Sequence, residues 1–187
     1  MKDFQGFGLD DHLLAALDRA GLTTPTPIQR EAIPLALAGH DVLGLAQTGT
    51  GKTLAFGLPL VAQLRAEPGR PAPKTAKALI LAPTRELVGQ IAEALRGLTD
   101  GTQVRVTTVV GGQSLNRQVN ALARGTDILV ATPGRLIDLM DRRAVDLGQV
   151  RRLVLDEADQ MLDLGFIHAL RRIAPRLGTP RQTMLFS

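Results

Sequence analysis

The sequence predicts an α/β fold with a mostly parallel sheet and helices on both of its faces. Two observations support this prediction. The chain of 187 residues with 44% apolar content has the size and hydrophobic content of one globular domain. Short apolar runs alternate with helical patterns and Gly/Pro punctuation, as parallel strands with crossover helices require. The runs lie at 41–46, 78–82, 104–110, 127–131, 152–156 and 182–186.

Two helices are predicted ahead of the first strand, near 10–20 and 27–38. Asp10 or Asp11 caps the first of them, Gly21 ends it, and the second follows Pro27. We assign 1–38 as an N-terminal helical segment and 39–187 as the main domain, within one compact unit. A further helix is predicted near 52–64, and the proline-rich and charged stretch after it, 65–76, is predicted to be an exposed loop.

The composition excludes several classes of protein. Cysteine is absent, so the chain has no disulfides, no thiolate metal site and no cysteine nucleophile, and a cytoplasmic location fits. The N-terminus lacks the apolar segment of a secretion signal, and no later run approaches the length of a membrane span. We therefore expect a protein that is neither secreted nor membrane-spanning.

The net charge of +4 arises in the second half of the chain, where the excess is arginine. Residues 165–181 carry four arginines and no acid, a pattern that can attract phosphates or simply form a solvated helix face. Trp and Tyr are absent and only five Phe are present. A protein that stacks successive bases on aromatic side chains is therefore disfavoured, and nucleic acid would be held by its backbone.

A phosphate-binding loop follows the first apolar run and precedes a helical pattern, which is the order that such a loop requires. Its glycines let backbone N–H groups face phosphates, Lys52 reaches the outer phosphates and the Thr53 hydroxyl ligates magnesium. The usual first glycine is Ala46 here, so the loop is a variant of the general pattern, and the alternative is an accidental turn. The loop consists of Ala46, Gln47, Thr48, Gly49, Thr50, Gly51, Lys52 and Thr53.

An acidic segment, Asp156-Glu157-Ala158-Asp159, ends the fifth apolar run and is predicted to lie at the same sheet edge as the phosphate loop. Asp156 suits a magnesium ion that keeps several waters and takes one or two carboxylates. Glu157 is then free to activate the attacking water. Taken alone, the segment is also typical of a helix N-terminus, where acids favour the dipole.

Residues 21–29 bear on the choice of base, because a glutamine such as Gln29 can pair bidentately with the edge of adenine. The segment also contains Thr24 and Thr26. A guanine-reading N-K-x-D segment is absent from the chain, which favours ATP, with Mg²⁺, as the bound nucleotide.

Together, the phosphate loop, the adenine segment and D-E-A-D resemble the DEAD-box RNA helicases of bacteria, and the resemblance covers essentially the whole chain. It implies a RecA-like P-loop domain that binds and hydrolyses ATP, binds RNA and unwinds short duplexes. Residues 21–29 correspond to the Q motif, so that Gln29 reads adenine and Phe4 packs on the base. Phe4 is otherwise an ordinary core residue.

The resemblance also assigns RNA-backbone contacts to three further segments. The threonines can open helices whose N–H groups bind phosphates, although capping alone explains them equally well. The two glycines form either a tight turn or a point of close backbone approach. The assigned residues are Pro83, Thr84, Arg85, Gly111, Gly112, Thr132, Pro133, Gly134 and Arg135.

The resemblance further implies that Ser187 begins a Ser-Ala-Thr motif whose serine lies opposite Asp159 and couples nucleotide state to RNA opening. A second RecA-like domain would complete both sites from across a cleft. We therefore expect residues 1–187 alone to be a monomer that binds nucleotide weakly, binds RNA feebly and hydrolyses little ATP. Two alternatives are an ATP-gated RNA clamp without productive unwinding and a DNA translocase built on the same core.

Overall fold

The computed structural model describes residues 2–187 and contains a six-stranded sheet in the order β1-β6-β5-β2-β4-β3. Every pair of neighbouring strands is parallel. Each predicted apolar run overlaps one strand, although β2 begins two residues and β4 one residue before its run, and the predicted fold class is confirmed. The strands are β1 (Val42–Gly44), β2 (Ala76–Leu81), β3 (Val106–Val109), β4 (Thr126–Ala131), β5 (Arg152–Asp156) and β6 (Gln182–Phe186).

Eight α-helices connect or precede the strands in the described part of the chain. The predicted helices near 10–20, 27–38 and 52–64 are all present, and the predicted loop spans 67–75. Short 3-10 turns lie at Gln5–Phe7 and Ala174–Arg176. The helices are α1 (Asp11–Arg19), α2 (Pro27–Leu37), α3 (Lys52–Ala66), α4 (Arg85–Thr99), α5 (Leu115–Leu122), α6 (Pro133–Asp141), α7 (Ala158–Asp163) and α8 (Ile167–Ile173).

The first two helices begin where the sequence signals place them. Asp10 is the N-cap of α1, and its carboxylate accepts a hydrogen bond from the Leu13 N–H at 3.0 Å. Pro27 opens α2 at a position where a missing N–H costs nothing. Gln29 accepts a hydrogen bond from the Thr26 N–H at 2.9 Å, which is one half of a capping box.

Helices cover both faces of the sheet, and each face has its own apolar core. Helices α1 to α4 pack on one face around Phe56 and Phe186, whose ring centroids are 5.5 Å apart. Helices α5 to α8 pack on the other face around Leu79, Leu129 and Met161. Side chains along a strand alternate between the two cores, because successive residues of a strand point to opposite faces.

All six strands end at one edge of the sheet, which we call the carboxyl edge; they begin at the opposite amino edge. In an open parallel sheet, ligands bind beyond the carboxyl edge. The strand order divides this edge into a β1-β6-β5 half and a β2-β4-β3 half. Among residues 2–187, no helix combines the length and the hydropathy needed to cross a membrane.

Candidate functional site

The phosphate loop and the acidic segment lie close together at the carboxyl edge, as predicted. Strand β6 separates them: Ser187 donates to the Gly44 carbonyl at 3.0 Å, and its own carbonyl accepts from the Ala46 N–H at 3.1 Å. On the other side of β6, Asp156 is in register with Phe186. The ends of β1 and β5 are therefore only one strand apart.

Lys52 forms an ion pair with Glu157, with Nζ and Oε1 2.7 Å apart. The two side chains are 7% and 21% exposed, so Lys52 is almost completely withdrawn from water. Glu157 thus contacts Lys52, and its action on water stays a prediction. A buried ammonium needs a counter-charge, and the Glu157 carboxylate supplies it.

Asp156 is buried beside this ion pair, and its Oδ1 accepts a hydrogen bond from the Glu157 N–H at 3.0 Å. Burial raises the pKa of Asp156 to about 6, although the positive charge of Lys52 opposes the shift. A cation at this carboxylate would stabilise its charged form and lower that pKa again. The electrostatics of Asp156 thus favour the binding of a positive ion.

Glu157 has a left-handed backbone with φ 53° and immediately precedes α7. Such a conformation costs a non-glycine residue about 1–3 kcal/mol, and strain of this kind is concentrated at functional sites. Both interpretations of the segment 156–159 therefore apply. The segment begins helix α7, and it also carries the acid pair Asp156 and Glu157.

The phosphate loop depends on glycine at Gly51, which has φ 83°. A Cβ atom at Gly51 would lie 2.3 Å from Nε2 of Gln29, so any other residue would displace this side chain. The Thr50 hydroxyl donates to the Gln47 carbonyl at 2.6 Å and closes the turn. Gln47, Thr48 and Gly49 are exposed, which leaves this part of the loop open to a ligand.

The donors near the ion pair fit magnesium. Thr53 lies in the first turn of α3, directly after Lys52, and Asp156 ends β5, which only β6 separates from β1. Both offer hard oxygen ligands, which Mg²⁺ prefers. In residues 2–187 no group of three or more His, Cys, Asp or Glu side chains is placed to hold a metal.

Gln29 joins the adenine segment to the phosphate loop. Its side chain is 3% exposed, accepts from the Thr26 N–H and donates from Nε2 to the Gly51 carbonyl at 3.0 Å. One N–H and one lone pair of the amide remain available for the edge of a base. The Thr26 hydroxyl is buried without a hydrogen-bond partner, whereas Thr24 is exposed.

Phe4 is 4% exposed and packs edge-on against Phe7, with ring centroids 6.0 Å apart. It belongs to the apolar core on the sheet face that helices α1 to α4 cover. Phe4 is therefore a core residue, which is the alternative considered for it in the sequence. Its stacking on a base stays a prediction.

We predict that Gln29→Glu removes the preference for adenine. A carboxylate cannot donate to the Gly51 carbonyl or form a donor–acceptor pair with adenine. Discrimination by one bidentate pair is worth about 1–3 kcal/mol, which is roughly tenfold to a hundredfold. Competition of ATP and GTP against a fluorescent ATP analogue measures this preference, with the exposed Gln90→Glu as control. Equal losses of ATP and GTP affinity would show that Gln29 only braces the loop.

The segments predicted to contact RNA share the other half of the carboxyl edge. Pro83, Thr84 and Arg85 follow β2, the two glycines follow β3, and residues 132–135 follow β4. Thr84 caps α4 by accepting from the Leu87 N–H at 3.2 Å. Thr132 occupies the same position before α6, but its side chain makes no capping hydrogen bond. These three loops lie on adjacent strands and form one surface.

Two arginines of this surface contact the turn that contains Gly111 and Gly112. A Cβ atom at Gly112 would lie 2.2 Å from Nη1 of Arg85, so the turn approaches the guanidinium closely. Arg135 is only 13% exposed and donates to the Gln113 carbonyl at 3.0 Å and to Oε1 of Gln118 at 3.1 Å. Much of the hydrogen-bonding capacity of Arg135 is therefore used to fix the turn rather than offered to solvent.

Gln118 is a positioning residue that was not identified from the sequence. It is buried on α5, and its Nε2 donates to the Val110 carbonyl at 2.9 Å while its Oε1 accepts from Arg135. One signal was present: Gln118 lies at helical spacing between the apolar Leu115 and Leu122. A polar side chain in such a stripe needs a buried partner.

We predict that Gln118→Met weakens RNA binding by the complete protein but not ATP binding. Methionine keeps the volume but leaves Arg135 and the Val110 carbonyl without their partner, at a cost of about 1–3 kcal/mol. Fluorescence anisotropy with single-stranded RNA and ATP measures the loss. Gln113→Met is the matched control, because only the backbone of this exposed residue is used. A parallel loss of ATP affinity would contradict the assignment.

Asp159 and Ser187 are neighbours, as the resemblance implies. A hydrogen bond from the Ser187 hydroxyl holds the pKa of Asp159 below its ordinary value, and the Gln160 N–H adds to this effect. Because Ser187 also bonds to Gly44 and Ala46, this residue contacts both the acidic segment and the base of the phosphate loop.

Comparison with known proteins agrees with this arrangement. A family model described as DEAD/DEAH box helicase matches residues 26–187. The ATP-dependent RNA helicase CshA of Listeria monocytogenes serovar 1/2a (strain ATCC BAA-679 / EGD-e) is 45% identical over 187 residues, which are 100% of this chain and 35% of that protein.

A solved structure supports the same conclusion. The crystal structure of a DEAD box protein from the hyperthermophile Methanococcus jannaschii matches with a TM-score of 0.91 and 34% identity. The match covers 100% of this chain and 50% of the other. The chain thus spans about a third of the curated relative, at 35%, and half of the solved one, at 50%. On these matches and on its site geometry, the chain belongs to the DEAD/DEAH box helicase family.

Proposed function

We propose that the chain is the ATP-binding, N-terminal RecA-like domain of an ATP-dependent RNA helicase, with 1–38 as its Q-motif segment. The observation that carries this proposal is the ion pair of Lys52 and Glu157 beside the buried Asp156. A cationic loop residue after β1 and two acids at the end of β5, one strand apart, suit a triphosphate with its metal. The relatives' names agree, since one is called an ATP-dependent RNA helicase.

In this proposal the ion pair is a resting contact that phosphate replaces. When bound, ATP supplies a transferable phosphoryl group, and Mg²⁺, held by Thr53 and Asp156, neutralises its charge. Lys52 would then take the outer phosphates as its counter-charge. The Glu157 carboxylate would be released to accept a proton from the attacking water. Gln29 would read adenine beside the loop.

The three loops at the other half of the carboxyl edge are proposed to hold the RNA backbone. They offer the helix N-termini that follow Thr84 and Thr132, and the guanidinium of Arg85. Contacts to the backbone carry no base information, so the target RNA is selected elsewhere. The contact between Asp159 and Ser187 would couple the two halves of the edge.

The second RecA-like domain of the complete protein is proposed to finish both sites. Arginines supplied across a phosphate site can contribute about 10³–10⁵ in rate. We therefore expect residues 1–187 alone to bind nucleotide weakly and to be nearly inactive as an ATPase.

Steady-state ATP hydrolysis by residues 1–187 and by the complete protein, each with RNA, with DNA and without nucleic acid, tests the proposal. Hydrolysis should be substantial only in the complete protein with RNA. Robust RNA-stimulated hydrolysis by residues 1–187 would refute the need for a second domain, and stimulation by DNA alone would favour a translocase. A strand-displacement assay then separates unwinding from an ATP-gated clamp.

A further inference from the structure

The amino edge of the sheet carries a second charged surface, opposite the site described above. Three adjoining clefts, of about 680, 430 and 480 Å³, surround the loop 67–75. The first two share Arg70 and Lys77, and the last two share Thr75. We call them the basic clefts, after the residues that line them: Arg65, Arg70, Lys74, Lys77, Arg105, Arg143, Arg151, Arg152 and Arg176.

The charge of the basic clefts is far out of proportion to that of the chain. Their lining contains nine basic residues and three acids, an excess of six, whereas the whole chain has 22 and 18, an excess of four. The rest of the chain, with 13 basic and 15 acidic residues, is therefore slightly negative. The positive charge of this protein is concentrated at the amino edge.

Most of these cations have no carboxylate partner. Arg65 pairs with Asp10, Arg152 with Glu67 and Lys77 with Asp127. Lys77, Arg105 and Arg151 also donate to backbone carbonyls, which accept hydrogen bonds without neutralising charge. Six cations lie more than 4.0 Å from any carboxylate of the described residues: Arg70, Lys74, Arg105, Arg143, Arg151 and Arg176.

Two of the three acids of the basic clefts already form ion pairs with other cations of the lining. Glu67 and Asp127 are in the ion pairs with Arg152 and Lys77, and Asp146 accepts from the Gly148 N–H at 2.8 Å. Two of the cationic residues, Lys74 and Arg143, also have left-handed backbones, with φ 61° and 54°. The fold thus holds several unneutralised positive charges close together, which favours the binding of an anion.

The chemistry of the lining points to a phosphate polymer. Seven of the nine cations are arginines, whose planar fork matches phosphate bidentately. No phenylalanine lines the clefts, so bases have no stacking platform there. The exposed leucines of the chain lie elsewhere, which argues against a membrane or an apolar peptide. Adjoining clefts that share lining residues suit a chain of regularly spaced charges better than a single ion.

We propose that the basic clefts bind the backbone of an RNA whose other part is held at the carboxyl edge. This inference rests on the proposed function, because it extends the same RNA. A six-residue strand such as β2 is about 20 Å long. With one nucleotide about every 3.4 Å along a strand, at least about six nucleotides are needed to pass from one edge to the other. Longer RNAs would therefore bind more tightly than those that occupy only one edge.

Charge reversal in the clefts tests this proposal. The variant combines Arg70→Glu, Arg143→Glu and Arg176→Glu, all at exposed positions without carboxylate partners. Its control reverses three exposed charges outside the clefts, by Lys2→Glu, Arg19→Glu and Arg30→Glu. Binding of single-stranded RNAs of 10 and 30 nucleotides to the complete protein is measured by anisotropy, with and without ATP, at several salt concentrations.

We expect the cleft variant to lose about tenfold or more in affinity for the 30-nucleotide RNA, while its ATP-dependent binding of the 10-nucleotide RNA persists. The slope of log K against log salt should fall by about two, because each lost phosphate contact on a single strand removes about 0.7. The control variant should lose much less. If the triple variant does not fold, Arg70→Glu alone should lower the slope by about 0.7.

Equal binding of the 30-nucleotide RNA by the cleft variant and the control would overturn the inference while leaving the proposed function intact. Failure of the unmodified protein to bind either RNA would overturn both. A poly-glutamate peptide is tested as a competitor of the 30-nucleotide RNA. If the peptide binds the clefts with an affinity equal to that of the RNA, the clefts are assigned to an acidic protein partner, and the inference is overturned.

Discussion

Replacing Lys52 with alanine in the complete protein is expected to abolish ATP turnover. Lys52 is the buried cation of the phosphate loop, and its Nζ lies 2.7 Å from Oε1 of Glu157. Its removal takes away the positive charge proposed to stabilise the transferring phosphoryl group. Loss of one such preorganised contact costs about 10²–10³ in rate.

The same change should also weaken nucleotide binding. Without Lys52, Asp156 and Glu157 lie side by side with no cation between them, and their negative charge opposes the phosphates. Burial already raises the pKa of Asp156, and Lys52 is the group that opposes this shift. ATP hydrolysis and binding of a fluorescent ATP analogue measure both effects, with the exposed Lys2→Ala as control. Normal turnover by Lys52→Ala would show that its role is wrongly assigned.

Glu157→Gln is expected to separate turnover from binding. An amide cannot accept a proton from water, so hydrolysis should fall by about 10²–10⁴. Nucleotide binding should be retained or strengthened, because the amide no longer holds Lys52 in an ion pair that phosphate must displace. The two substitutions thus differ in their effect on ATP affinity although both stop catalysis.

Single-turnover hydrolysis and equilibrium binding on the same preparation of Glu157→Gln test this separation. Glu93→Gln, at an exposed position of α4, is the matched control. Unchanged hydrolysis would exclude Glu157 as the base. Weaker ATP binding would contradict the view that the ion pair with Lys52 competes with phosphate.

Much of the fold follows from local patterns in the sequence. Each of the six apolar runs overlaps a strand of the structure. Short apolar segments between helical patterns are typical of strands in a parallel sheet that is buried on both faces. The meeting of the phosphate loop with Asp156 also follows, since parallel strands end at one edge. The strand order that places β6 between them depends on packing of the whole chain, and local patterns do not encode it.

The contacts within the site were less accessible to sequence reasoning. The sequence predicts separate roles for Lys52 and Glu157 but not the ion pair between them, which joins residues 105 positions apart. The buried bridge from Gln118 to Arg135 joins residues from two helices and depends on how α5 and α6 pack. The basic clefts likewise assemble cations from distant segments, of which only Arg176 belonged to the noted arginine stretch.

The most direct test of the central claim is equilibrium binding of a fluorescent ATP analogue to residues 1–187, with and without Mg²⁺. We predict saturable binding that Mg²⁺ strengthens, that ADP displaces and that Lys52→Ala abolishes. Binding that is absent, that ignores Mg²⁺, or that survives unchanged in Lys52→Ala would contradict a single triphosphate site built from the phosphate loop and the acid pair.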